Sequence, residues 1–109
     1  NAAGREEIVF TSGTTAAVNL VAFSFGEAFV KEGDEIIVSE AEHHSNIVPW
    51  QMMCSRKGAV LKVLPVDDDG HLKVDMLGDL ITQKTRIVAV THISNVLGIV
   101  NPLKDIIRI

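Results

Sequence analysis

Short apolar runs alternate with longer stretches of helical spacing along the whole chain. "EIVFT" (7–11), "DEIIVSE" (34–40), "AVLKVLPV" (59–66) and "TRIVAVTHIS" (85–94) are rich in β-branched residues and read as strands. "SGTTAAVNLVAFSFGEAFVKEG" (12–33) keeps Ala17, Leu20, Val21, Ser24, Phe25, Ala28 and Phe29 at helical spacing, with Gly33 as its stop. Val18, Ala22 and Phe23 lie off that stripe, so the pattern predicts a helix buried against more than one surface. "NIVPWQMMCSRKG" (46–58) predicts a second helix, which tolerates Pro49 only in its first turn. After a "DDDG" turn (67–70), "KVDMLGDLITQ" (73–83) predicts a third, capped by Asp75.

Strand and helix in regular alternation predict an α/β fold with a largely parallel sheet and helical crossovers. Residues 1–109 read as one domain without an internal boundary. Ligands of such sheets gather beyond the carboxyl ends of the strands. "TSGTT", "SEAEHH" and "THISNVLG" stand there after the first, second and fourth predicted strands, and all three are dense in polar groups. The third strand runs instead into "PVDDDGHL", a plain acidic turn.

Composition narrows the function classes. The net charge of −4 and the absence of a basic block argue against nonspecific binding to nucleic acid or to an anionic membrane. Hydrophobic residues make up 47%, which excludes a disordered segment, yet no apolar run approaches the ~20 residues of a membrane span. Residues 1–10 lack the pattern of a secretory signal, and a single cysteine, Cys54, excludes an internal disulfide framework. A reducing compartment, the cytoplasm, is the expectation. The chain opens without methionine and closes on "NPLKDIIRI", an uncapped helix start, so a piece of a longer protein is expected.

Each loop has a chemistry available to it. In "TSGTT", Gly13 permits a tight turn directly before a helix. Free N–H groups there, with the hydroxyls of Ser12, Thr14 and Thr15, would cradle a phosphate, although a simple Ser/Thr cap fits the same residues. His43 and His44 are adjacent, and adjacent side chains of an extended segment point to opposite faces, which disfavours joint chelation of a metal. Cys54, His92, Glu42 and Asp67–Asp69 supply no recognised ligand spacing, and no metal is expected. One histidine presenting a flat ring to the pocket fits better. In "THISNVLG", Asn95 can donate to a ligand oxygen or satisfy its own loop. A phosphate cradle, an aromatic platform and an amide donor together suggest a phosphorylated planar cofactor.

"FTSGTTAAVNLVA", "EHHSNIVPWQ" and "THISNVLGIVNPL" resemble the class V aminotransferase family of pyridoxal-phosphate (PLP) enzymes. Within it the likeness is to the Suf-type cysteine desulfurases and the related selenocysteine lyases, over essentially all 109 residues. The resemblance implies part of the fold type I large domain, with four of seven strands present and a full sheet order of 3-2-4-5-6-7-1. It implies that Thr14 and Thr15 meet the cofactor phosphate, with Thr15 the principal side-chain donor. By the same likeness His43 stacks on the pyridine ring and handles a proton, Asn95 bonds the phenolic oxygen, and His44 is structural. It further implies conversion of L-cysteine or L-selenocysteine to L-alanine, a persulfide passed to a sulfur-acceptor protein for iron–sulfur cluster supply, and a homodimer. Two departures stand out. Ala16 occupies a position where relatives often carry an acid. The family's Asp-Gly-Ala-Gln stretch, its Ser-Gly-His-Lys stretch with the Schiff-base lysine, and its later catalytic cysteine are not in these residues. Cys54 reads as a packed helix residue. The 109 residues alone are therefore expected to be inactive, to hold PLP weakly or not at all, and to leave the first strand without a partner. Kynureninase-like or epimerase-like activity of the same fold, and a non-catalytic binding domain, are the alternatives.

Overall fold

The computed structural model describes residues 2–109. Three strands, β1 (Glu35–Ser39), β2 (Val60–Leu64) and β3 (Thr85–Ala89), form one parallel sheet in the order β2-β1-β3. This is the 3-2-4 neighbourhood expected for the second, third and fourth apolar runs. Ile36 and Val38 of β1 point to one face and Ile37 to the other, and all three are buried. The central strand therefore feeds two cores. On one face Ile36 and Val38 meet Ala22, Trp50, Met53 and Cys54. On the other, Ile37 meets Leu64, Leu72, Leu77 and Ile106. A bulge between Glu35 and Ile36 shifts the register, so that Glu35 pairs with Thr85 and Ile36 with Ile87.

Helices α1 (Thr14–Phe29) and α2 (Val48–Lys57) cover the first face; the short α3 (Leu77–Leu80) and α4 (Leu103–Arg108) cover the second. Pro49 lies in the first turn of α2, where its missing N–H costs nothing, and Gly58 closes the helix at φ 67. α1 departs from its expected face. Its buried residues are Ala22 and Gly26, flanked by half-buried Val18 and Phe25, whereas Leu20, Val21, Phe23 and Phe29 are exposed. Small size decides the seam: a Cβ on Gly26 would sit 2.5 Å from Met53 Cγ, so α2 approaches α1 only along the Ala22–Gly26 line. The helix also ends at Phe29 rather than at Gly33, which forms the following turn with φ 78. The third helix is a 3-10 turn, Val74–Met76, leading into α3; Lys73 precedes it and Asp75 makes no cap bond. Among the described residues no helix is long and apolar enough to cross a membrane.

Of the four expected strands the first does not form, and it lacks a sheet partner as expected. Arg5–Glu7 form a 3-10 turn, Ile8 is extended (φ −107, ψ 122), and residues 7–11 pair with nothing in the sheet. Phe10 is 95% exposed. β-Propensity is local, but a strand needs a neighbour to accept its N–H groups, and the expected sheet order gives this segment none among the three strands present.

At the opposite end of the sheet Asp34 is buried and tied down: it accepts from the Lys31 N–H at 2.8 Å and pairs with Arg86 Nε at 3.1 Å. The Arg86 hydrogen bond, then that of the Lys31 backbone, holds the carboxyl below the usual range. A carboxylate with a depressed folded pKa stabilises above its unfolded value, about 3.9. That stability is lost as the pH falls through the folded pKa. Urea midpoints measured from neutral pH downwards should therefore fall more steeply for the natural chain than for Asp34→Asn below about pH 4. Parallel slopes would refute the assignment.

Candidate functional site

Three chain turns meet at the carboxyl edge of the sheet. α1 ends just before the turn into β1 and runs back against it, so its N-terminus lies level with the end of that strand. Gly13 enters the helix at φ 125, ψ 175, a conformation that side-chain-bearing residues rarely adopt. No side chain caps the first turn, and the Thr11 hydroxyl donates instead to the Gly13 carbonyl at 3.2 Å. The first N–H groups of α1 therefore lack both intrahelical and side-chain acceptors, with the positive end of the helix dipole behind them. Thr14 and Thr15 begin this turn and are exposed.

His43 follows β1 in extended backbone (φ −67, ψ 147) and caps a 3-10 turn, His44–Asn46. Its Nδ1 accepts from the Ser45 N–H at 3.1 Å and lies 2.9 Å from Ser45 Oγ. With the Nδ1 lone pair used in this way, a neutral ring carries its proton on Nε2; the tautomer is assigned from these bonds. The His44 ring stands at 87° to it, with centroids 6.3 Å apart. His44 is exposed and borders a smaller hollow with Thr15, Asn19 and Pro49.

Asn95 stands on the loop after β3. An Ile93–Val100 bridge narrows that loop, and buried Asn101 donates from Nδ2 to the Thr91 carbonyl at 2.8 Å. Gly98, at φ 70, turns the chain back.

The three turns enclose an open cavity of about 560 Å³. Thr14, Thr15, His43 and Asn95 all line it, with Val18, Glu42, Ser45, Asn46, Val90 and Thr91. The four residues singled out in the sequence thus meet at one place, although they are drawn from three separate turns. Ser12 and His92 do not line it. Cys54 is buried in the core of the other end of α2, and burial pushes its thiol pKa up. Among the described residues no three His, Cys, Asp or Glu side chains cluster closely enough to hold a metal ion. Glu42 is the wall residue that the sequence reading left unassigned: it accepts from the Thr91 N–H at 2.6 Å, from the Ser39 hydroxyl and from Asn46 Nδ2 at 2.8 Å. The only signal of it was its place directly before the two histidines.

Comparison with known proteins places the whole chain. The family model for aminotransferase class-V matches residues 1–109. A cysteine desulfurase of Escherichia coli O7:K1 (strain IAI39 / ExPEC) is 54% identical over 109 residues, which is 100% of this chain and 27% of that protein. The chain thus spans about a quarter of the length of the curated relatives it matches. The crystal structure of the cysteine desulfurase CsdA from Escherichia coli superposes with a TM-score of 0.92 at 42% identity, over 98% of this chain and 27% of that one. A C-DES variant with glycine covalently linked to its PLP cofactor superposes with a TM-score of 0.74 at 27% identity, over 87% of this chain and 24% of that one.

Proposed function

Because this chain belongs to the class-V aminotransferase family, we propose that it is the cofactor-seating part of a PLP-dependent cysteine desulfurase. The single observation that supports this reading is that Thr14, Thr15, His43 and Asn95 share one cavity. Its donor set suits the cofactor. An uncapped helix N-terminus and two hydroxyls suit a phosphate dianion. An imidazole held by Ser45 offers a fixed flat face, and the Asn95 amide offers a donor for the phenolic oxygen. When bound, PLP supplies an electron sink for the substrate α-carbon.

The residues of this chain have three tasks in that scheme. Thr14 and Thr15 anchor the phosphate, with Thr15 the principal side-chain donor. Asn95 orients the ring. His43 stacks on the ring, and its Nε2, left free by the Ser45 bonds to Nδ1, is the atom that holds or moves a proton. In the whole protein an enzyme thiol takes the substrate sulfur: L-cysteine and the thiol become L-alanine and an enzyme persulfide, and L-selenocysteine would be processed in the same way. Cys54 is not that thiol, since it is 5% exposed and its protonated form is favoured by burial. The nucleophile, the anchoring lysine and the aspartate for the ring nitrogen would lie outside residues 1–109, a single partial domain that does not turn over by itself. A homodimer, a sulfur-acceptor protein, iron–sulfur cluster supply and a cytoplasmic location complete the proposal.

The test is product analysis. The full reading frame containing this chain, purified with PLP, should release L-alanine from L-cysteine in step with thiol-releasable sulfur. Turnover of another amino acid, with no alanine formed from cysteine, would overturn the desulfurase reading.

A further inference from the structure

We infer that Glu42 is a positioning residue that locks the His43 turn to the Asn95 loop, and that it does so by hydrogen-bond polarity. The role rests on the PLP-site reading only for its effect on the cofactor. Trp50 sets the polarity. Its indole N–H, the donor of a residue that cannot accept there, reaches Asn46 Oδ1 at 2.9 Å. Trp50 is buried in the core, so Asn46 must turn its oxygen inward. The Asn46 amide NH₂ then points the other way and needs an acceptor, which Glu42 Oε2 provides at 2.8 Å. The other carboxylate oxygen faces two more donors, the Thr91 N–H at 2.6 Å and the hydroxyl of buried Ser39.

Both oxygens of residue 42 must therefore accept. An amide cannot satisfy this. Glutamine would set an NH₂ against either Asn46 or Thr91, and flipping Asn46 to suit it would set an NH₂ against the Trp50 indole. The lock joins the end of β1, the turn behind His43 and the residue from which the Asn95 loop departs. Asn101 extends it, through the Thr91 carbonyl, to the far side of that loop.

The directionality supplies its own rescue. Glu42→Gln combined with Asn46→Asp restores every bond. The carboxylate introduced at position 46 accepts from Trp50 with one oxygen and from the new amide NH₂ at position 42 with the other. The amide oxygen at position 42 still accepts from Thr91 and Ser39. Asn46→Asp alone sets two carboxylates face to face.

The experiment compares the full reading frame containing this chain with its two single variants and the double variant. One readout is hydrogen exchange at the Thr91 amide, followed by nitrogen-resolved NMR; the other is PLP affinity by titration. Each single variant should raise the Thr91 exchange rate and the PLP Kd by about tenfold, and the double variant should return both to within about threefold of the natural chain. The idea is overturned if Glu42→Gln leaves Thr91 protected, or if the double variant is no better than the singles. A single variant that fails to fold leaves the double variant as the deciding case. Absence of PLP binding by the full natural protein would count against the proposed function, while Thr91 exchange would still decide the role of Glu42.

Discussion

Alanine at both Thr14 and Thr15 should weaken PLP binding by at least about 100-fold, and should leave the affinity for pyridoxal, which lacks the phosphate, unchanged. A hydrogen bond to a charged group contributes roughly 1.5–3 kcal/mol, and each tenfold in affinity corresponds to about 1.4 kcal/mol. Two lost hydroxyls therefore account for about two decades at the lower end of that range. The N–H groups of the α1 first turn remain, so binding is weakened rather than abolished. Folding should be unaffected, because both side chains are exposed and neither caps the helix. Titration of these variants of the full reading frame with PLP and with pyridoxal checks this. An equal loss for both ligands would show that the threonines act on the shape of the site and not on the phosphate.

The largest loss of stability should follow Trp50→Ala, about 3–5 kcal/mol by urea unfolding followed in far-UV circular dichroism. Trp50 is 3% exposed and lies between α1, α2 and the first face of β1. Truncation removes its packing against the Ala22–Val38–Met53 cluster and leaves Asn46 Oδ1 without its indole donor. Against a typical domain stability of about 5–15 kcal/mol, such a loss threatens the folded state itself. Trp50→Phe separates the two contributions, since it keeps most of the apolar volume and deletes only the N–H. It should cost about 1–2 kcal/mol. Equal losses for alanine and phenylalanine would mean that the indole hydrogen bond, and not the packing, sustains this core.

The sequence carries the parallel sheet openly because each strand is built on a run of β-branched and aliphatic residues, the central one buried, and the runs are separated by helix-length segments. Glu35–Ser39, Val60–Leu64 and Thr85–Ala89 fall inside the apolar runs that announced them. The three polar turns were legible through chemistry, since each follows the end of an expected strand, whereas the choice of His43 over His44 and the roles of Thr14, Thr15 and Asn95 came from the family resemblance. What failed was non-local. "EIVFT" has the residues of a strand, but its pairing depends on a neighbour absent from the sheet. The face of α1 was read from the helical spacing of Ala17, Leu20, Val21, Ser24, Phe25, Ala28 and Phe29, whereas contact with Met53 selected the off-stripe Ala22 and the glycine Gly26. Glu42 looked like an ordinary acid because its three donors come from positions 39, 46 and 91. No spacing rule joins them.

The order β2-β1-β3 has a consequence for how this site could arise and change. From the carboxyl end of β1 the chain leaves over one face into α2, and from the carboxyl end of β3 it leaves towards the other face into α4. Neighbouring connections that part to opposite sides leave a crevice between β1 and β3, at a topological switch point. The cleft is thus a product of connectivity, already present before any particular side chain is placed on its rim. The two cores below it can remain constant while the rim loops exchange residues. A new ligand preference could therefore be installed at a rim position such as Ser45 with little effect on the fold.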